Sequence, residues 1–336
     1  MSHFTARITS GPLDCEVTEL LFTVIIPAYN FKLYLRDCVD SVLSQSFIDF
    51  EVVLVNDGST DGTSTLCNEI AVEPRVTVLH QANGGASLTR NVGMEHARGD
   101  YVVFLDADDE LSTDYLGDLA GELRARPVDV ILGSVRTYFG KGVDDTNVLL
   151  FDSAYTGLLD LAGLVNYFFT TADDAPFAAW HNVYSRAFLS RHRLTFDEEM
   201  ILSEDRDFVL RVLAQRPVWR CVCVPSCRHR VNAVDSVTGQ VGIRKILRAM
   251  AGDEKWIRIS YENELFAHAA PFFAGGCIGL ILMSLQLPSD ERRVVLERAS
   301  DNKPCFTPRL RRRFLFQDTA PACASRLFPC RRKSRL

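Results

Sequence analysis

Tyr101-Val102-Val103-Phe104-Leu105-Asp106-Ala107-Asp108-Asp109 changes from apolar to acidic within one residue. An apolar run bounded so sharply reads as a buried strand. Its carboxylates then fall at the carboxyl end of the strand, where open α/β sheets bind ligands. Two carboxylates one residue apart, with a third alongside, supply hard oxygen ligands for Mg²⁺ or Mn²⁺, and such a cation can neutralise a diphosphate. Many loops carry an Asp-x-Asp by chance. The chain upstream gives this one its weight.

Phe22-Thr23-Val24-Ile25-Ile26, closed by Pro27, predicts a first strand. Leu35, Cys38, Val39 and Val42 follow at helical spacing. Glu51-Val52-Val53-Leu54-Val55 predicts a second strand, ending in the dense turn signal Asn56-Asp57-Gly58-Ser59-Thr60-Asp61-Gly62. Ser59 or Asp61 is expected to cap a helix carrying Leu66 and Ile70. Val76 to Leu79 reads as a third strand, and a glycine-led helix runs from about Gly85 to Ala97. Alternating strands and helices imply βαβ units and a largely parallel sheet. Asn30, Asp57, Asn83 and Asp106 to Asp109 all follow strands, so they converge on one sheet edge. Such residues suit any turn, but together they also suit a nucleotide. No G-x-G-x-x-G follows the first strand and no G-x-x-x-x-G-K-[ST] occurs, which disfavours dinucleotide-fingerprint and P-loop proteins.

Five blocks in order resemble the amino-terminal half of family 2 glycosyltransferases. They are Val24 to Asn30, Leu35 to Gln45, Val53 to Asp61, Asn83-Gly84-Gly85 with Thr89-Arg90-Asn91-Val92-Gly93, and Gly99 to Asp109. The resemblance implies a fold of the GT-A type: α/β, with a Rossmann-like mixed sheet flanked by helices and a helical carboxyl-terminal extension. It implies inverting transfer of a sugar from a nucleotide-diphosphate donor, a UDP-sugar being favoured, with Mn²⁺ or Mg²⁺. Carried over block by block, Pro27, Ala28, Tyr29, Asn30, Asp57 and Gly58 line the nucleotide pocket and Arg90 helps bind the nucleotide. Asp106 contacts ribose or metal, and Asp108 ligates the metal. Lys32, where many relatives are acidic, leaves the donor base open, and Thr89 replaces a common alanine.

An inverting transfer also needs a base near the acceptor hydroxyl. Ser203-Glu204-Asp205-Arg206-Asp207 places acids in the first turn of an apolar helix continued by Phe208, Val209, Leu210 and Leu213. Acids there are also ordinary helix chemistry. The resemblance, whose members carry a Glu-Asp pair at this place, implies Asp205 as base and Glu204 as its partner, with Asp207 in reserve. Trp180 is expected either to stack on a sugar ring or to be a core tryptophan. His181 reads as structural. Asp109 and His229 are further candidates for acceptor or sugar contact, and Arg230 or Ser236 and Thr238 for the diphosphate.

The net charge of −6 argues against a general nucleic-acid role. The first twenty residues lack a basic start and an apolar core, so a cytoplasmic protein is expected. Ten dispersed cysteines then read as free thiols. Cys221, Cys223, Cys227 and His229 fit no common zinc module. The apolar stretch Pro271 to Leu287 falls short of the roughly 20 residues that span a bilayer and reads as a buried helix. Beyond it, Arg309, Arg311 to Arg313, Arg326 and Arg331 to Arg335 interleave with Phe314, Phe316 and Phe328. Such a tail suits either peripheral contact with an anionic membrane or a solvated extension. The expected organisation is an extension over 1–20, a glycosyltransferase domain over 21–239 with nucleotide-sugar half 21–115 and acceptor half 116–239, a helical region over 240–300 and a basic tail over 301–336. The expected role is in cell-surface polysaccharide or glycolipid synthesis, on a saccharide or lipid-linked acceptor. Two alternatives stay open: a sugar-nucleotide nucleotidyltransferase, and a non-catalytic nucleotide-sugar-binding protein of the same fold.

Overall fold

A computed structural model of the chain describes residues 20–140, 143–149, 160–170, 177–200, 203–231, 242–262, 264–266, 273, 277, 284 and 287–301. The first compact unit falls within Met1–Leu158, Asp173–Glu199 and Glu204–Ser236. Its centre is four parallel strands in spatial order β3-β2-β1-β4: β1 Phe22–Ala28, β2 Phe50–Asp57, β3 Val76–Gln81 and β4 Tyr101–Phe104. Ile25 pairs with Val53 on one side and Phe104 on the other. The carboxyl ends of all four therefore lie on one edge. Every residue of β2 is buried, as is every residue of β1 but Pro27. Strands covered on both faces have this near-continuous apolar character.

Helices α1 Leu35–Leu43, α2 Thr63–Ile70 and α3 Ala86–His96 make the crossovers. In α1 the expected Leu35, Cys38, Val39 and Val42 are all buried. Of the two residues expected to cap α2, neither is its cap, since Gly62 holds that position at φ 99°. Asp61 instead accepts the N–H and O–H of Thr63 on one oxygen, while Ser59 Oγ accepts the N–H of Asn30. Helix α3 lies close on the sheet: a Cβ at Gly93 would stand 2.3 Å from Ile25 Cγ2.

Beyond β4 the sheet becomes mixed. The short β5 Glu110–Leu111 and helix α4 Tyr115–Ala125 lead to β6 Val130–Gly140 and β7 Val143–Leu149. A 3₁₀ turn, Ala179–His181, enters β8 Asn182–Ser185, followed by the short helix Arg186–Arg191. Helix Glu204–Ala214 and strand β9 Trp219–Arg230 complete the unit. β8 runs antiparallel between β4 and β6, β9 lies parallel to β6, and β5 pairs antiparallel with β9. That last pairing carries β9 across the acidic loop after β4.

The second unit falls within Leu159–Ala172, Met200–Ser203 and Val237–Leu336. Its described part includes helices Leu161–Thr170, Ile243–Glu262 and Ser289–Asp301. Ile246, Met250 and Val295 form a buried cluster, and Phe169 meets Phe273 at 5.5 Å between ring centroids. Of the apolar stretch expected to be a buried helix, Phe273, Cys277 and Ser284 are helical and fully buried. No helix among the described residues is long and apolar enough to cross a membrane. The first nineteen residues, Ser236 with Thr238, and the basic tail lie outside the described residues.

Candidate active site

Three loops at the carboxyl edge are laced together. Asn30, at φ 61°, donates its N–H to Ser59 Oγ and accepts the N–H of Thr60 at 2.8 Å. Asp57 accepts the N–H groups of Gly84 and Gly85, at 2.8 and 2.9 Å, and an amide hydrogen of Gln81. Both its oxygens are thereby engaged and the residue is buried. Asp57 thus braces the turn into α3. Gly58 takes φ 70°, and a Cβ there would stand 2.8 Å from the Asn83 nitrogen. Ala28 is buried, while the ring of Tyr29 is exposed at this edge. The nucleotide-binding candidates are brought together, then, with Tyr29 as the open side chain and Asn30 and Asp57 as loop supports.

The acidic loop sorts its carboxylates by partner. Asp106 accepts from Arg90 Nη2 at 2.9 Å. Asp109 is fully buried, with one oxygen 3.0 Å from His229 Nδ1 and the other accepting the N–H of Arg230 at 2.8 Å. It therefore supports β9. Glu110 pairs with Arg228 and Arg230, and Arg230 Nε also donates to the Asp108 carbonyl at 2.9 Å. Asp108 remains: no side chain among the described residues pairs with its carboxylate. Burial, reinforced by the charges of Asp109 and Asp106, pushes its pKa up to about 7. A carboxylate crowded by others and left unpaired fits a cation. Among the described residues no three potential ligands are already gathered, so Asp108 and Asp106 would need water or ligand oxygens to complete a coordination shell.

Trp180 is almost wholly buried and lies flat on the His229 ring, 5.3 Å between centroids and 7° between planes. One of its faces is thus already covered by His229. Tyr138 meets the same imidazole edge-on at 5.7 Å. His181 is fully buried, in keeping with a structural part.

The Glu-Asp pair opens the helix Glu204–Ala214, whose Phe208, Val209, Leu210 and Leu213 are buried as expected. Its first turn faces Arg90. Arg90 Nη1 stands 3.1 Å from Asp205 Oδ1 and 3.4 Å from Glu204 Oε1. The Asp205 contact is out of line for a hydrogen bond, so it is one of charge. Burial pushes the Asp205 pKa up to about 7, against the opposing pull of Arg90. Asp207, the reserve candidate, is buried and bound to Arg211 Nε at 2.6 Å. Sequence reasoning missed Glu110, which ties the acidic loop to β9, and Asn91, whose side chain holds the backbone of Phe196 at both N–H and C=O. The sequence signal for Asn91 was its place in the block Thr89 to Gly93.

A sequence model of the family described as "Glycosyl transferase family 2" matches residues 23–193, just over half of the chain. Glycosyltransferase GlyA of Streptococcus pneumoniae serotype 4 is 32% identical over 235 residues, which cover 68% of this chain and 33% of that protein. The first curated relatives are matched over a third to just over half of their own length. Among solved structures, S. aureus TarS 1-349 in complex with UDP-GlcNAc superposes with a TM-score of 0.64 at 20% identity, covering 86% of this chain and 82% of that one. The mannosyltransferase PcManGT from Pyrobaculum calidifontis, in complex with GDP-Man and Mn²⁺, gives 0.51 at 18% identity over 83% and 79%. At these identities the likeness is one of fold, and the fold is of the GT-A type.

Proposed function

Because the chain belongs to glycosyl transferase family 2, we propose that it moves a sugar, with inversion, from a nucleotide-diphosphate donor to an acceptor hydroxyl. The observation that carries this reading is the span of one buried guanidinium. Arg90 joins Asp106, in the loop at the donor edge, to Asp205 and Glu204 at the head of another helix. The edge suited to a nucleotide and a carboxylate suited to act as base are thus held together.

In this reading Asp108 and Asp106 would hold a divalent cation, which when bound offsets charge on the departing diphosphate as a Lewis acid. Tyr29 and the loop of Asn30, Asp57 and Gly58 shape the nucleotide pocket. Asp205 takes the proton of the acceptor hydroxyl on the sugar face opposite the leaving group, and this opposition gives inversion. Glu204 orients the acceptor. The Asp109–His229–Trp180 stack braces the acidic loop from the β9 side. A UDP-sugar donor is favoured by the UDP-GlcNAc complex of TarS, and Mn²⁺ by the PcManGT complex. A polysaccharide or lipid-linked acceptor fits the family, and the basic tail would supply contact with an anionic membrane.

A thermal-shift panel of UDP, GDP, dTDP and CMP, with and without Mn²⁺, tests the donor site, since a ligand of the native state raises the melting temperature. A Mn²⁺-dependent shift with one nucleoside diphosphate is expected. Transfer should be abolished in Asp108→Ala and in Asp205→Asn, with nucleotide binding weakened only in the first. Full turnover by Asp205→Asn would eliminate it as base. No shift with any nucleotide would favour a non-catalytic protein of the same fold.

A further inference from the structure

Resting on the transferase reading above, we infer that Arg90 is a positioning residue for the base, and that Asn91 beside it fixes the floor on which Arg90 lies. The side chain of Arg90 is only 5% exposed, and its two terminal nitrogens serve three carboxylates: Nη2 faces Asp106 at 2.9 Å, while Nη1 faces Asp205 at 3.1 Å and Glu204 at 3.4 Å. A guanidinium is planar and its donors point in fixed directions, so the groups it binds are fixed relative to one another. Lysine, a point charge on a flexible stem, cannot do this.

The floor is equally specific. The Phe196 ring lies 5.3 Å from the guanidinium carbon of Arg90. It stacks on Phe208 of the base-bearing helix, 4.1 Å between centroids and 9° between planes, and meets Phe104 of β4 edge-on at 5.2 Å. Asn91 holds Phe196 as a strand neighbour would, accepting its N–H at 2.8 Å and donating to its carbonyl at 3.0 Å. It also donates to Glu198 at 3.0 Å. Two consecutive residues of α3 thus set both the carboxylates of the base and the aromatic platform beneath them. The charge of Arg90 is already matched by three acids, so its burial is accounted for without a diphosphate. The structure therefore assigns it to the base more directly than to the nucleotide.

The test uses the full chain as wild type, Arg90→Gln, Arg90→Lys and Asn91→Ala, with UDP and GDP, each with Mn²⁺, as binding probes. Arg90→Gln is expected to lower kcat about 100-fold, the effect of a small misplacement of a reacting group. Nucleotide affinity should change by less than about threefold, so that the loss appears in kcat and not KM. Asn91→Ala should follow the same pattern more weakly. Arg90→Lys should keep the charge but recover only part of kcat, and it carries the same readouts should Arg90→Gln fail to fold. A melting-temperature cycle needs no activity: Asp205→Asn should raise the melting temperature more in Arg90→Gln than in wild type, because it removes a carboxylate that has lost its cation. A rise of about tenfold or more in nucleotide Kd with unchanged kcat at saturation would make Arg90 a nucleotide ligand and overturn the inference. Additive melting temperatures would overturn it as well. If the wild type neither binds a nucleoside diphosphate nor transfers, the transferase reading fails, and the thermal cycle still decides whether Arg90 holds the pair.

Discussion

Asp205 stands between opposed influences. Burial raises its pKa, Arg90 lowers it, and burial wins, leaving the group near 7. A base must be ionised to accept a proton, so kcat at saturating donor should fall as pH drops through about 7. A pH–rate profile checks this, and a kcat that holds level down to about pH 5, in the range of ordinary carboxylates, would remove Asp205 from the role. Asp108 gives a separate acid limb for a different reason. It too is pushed up to about 7, by burial and then by Asp109 and Asp106. Protons and a cation compete for it, so Mn²⁺-dependent nucleotide binding should weaken as pH falls from about 8 to about 6. Calorimetry on wild type and Asp205→Asn separates the two groups, because the binding limb should persist when the base is gone. Neither shift was legible in the sequence. Spacing places Asp106, Asp108 and Asp109 in one loop, but the partner that claims Asp109 arrives on β9, 120 residues later.

Helix α3 shows at the level of an element why some of the fold could be read and some of the site could not. In α1 the buried positions are Leu35, Cys38, Val39 and Val42, a stripe that announces itself. In α3 they are Ser87, Thr89, Arg90, Asn91 and Gly93, which are polar or small. No apolar period marks that face; the leading glycine and the family block placed the helix, and nothing in the pattern said that Arg90 would be inside. The strands β1, β2 and β4 were plain as apolar runs, whereas β7 and β8 carry no comparable signal. The close seat of α3 depends on Gly93, one turn from Arg90. A Cβ there would press on Ile25 Cγ2 at 2.3 Å. Gly93→Ala should therefore cost about 1–3 kcal/mol by overpacking, read from urea unfolding. It should also lower kcat, since any outward shift of α3 carries Arg90 away from Asp205. A variant of unchanged stability and turnover would show that Ile25 yields without moving the helix.

Across the sheet as a whole, the two edges treat buried carboxylates differently. At the amino edge Glu51 is buried but satisfied: it accepts from Thr23 Oγ1 at 2.8 Å and from Arg98 N and Nε, both at 2.7 Å. At the carboxyl edge Asp205, its side chain 21% exposed, has a buried Oδ1 that faces Arg90 outside hydrogen-bond geometry. The first arrangement stabilises the fold, and the second holds a reactive group at the fold's expense. Glu51→Ala should therefore destabilise the protein by about 1.5–3 kcal/mol, the worth of charge-assisted hydrogen bonds, with kcat unchanged. Asp205→Asn should do the reverse, abolishing turnover while raising the melting temperature. The sign follows from linkage. The folded-state pKa of Asp205 lies near 7, above the ordinary 3.8 of the unfolded chain. Below about pH 4 the group is protonated in both states and contributes nothing. Between about 4 and 7 the unfolded chain ionises first, so the folded state loses ground with rising pH, and above about 7 the loss is complete. The gap in melting temperature between Asp205→Asn and wild type should accordingly open over that window and then stay constant. Differential scanning across it would show the gap, and a gap that is flat from acid to neutral pH would mean that Asp205 carries no such cost and is as well satisfied as Glu51.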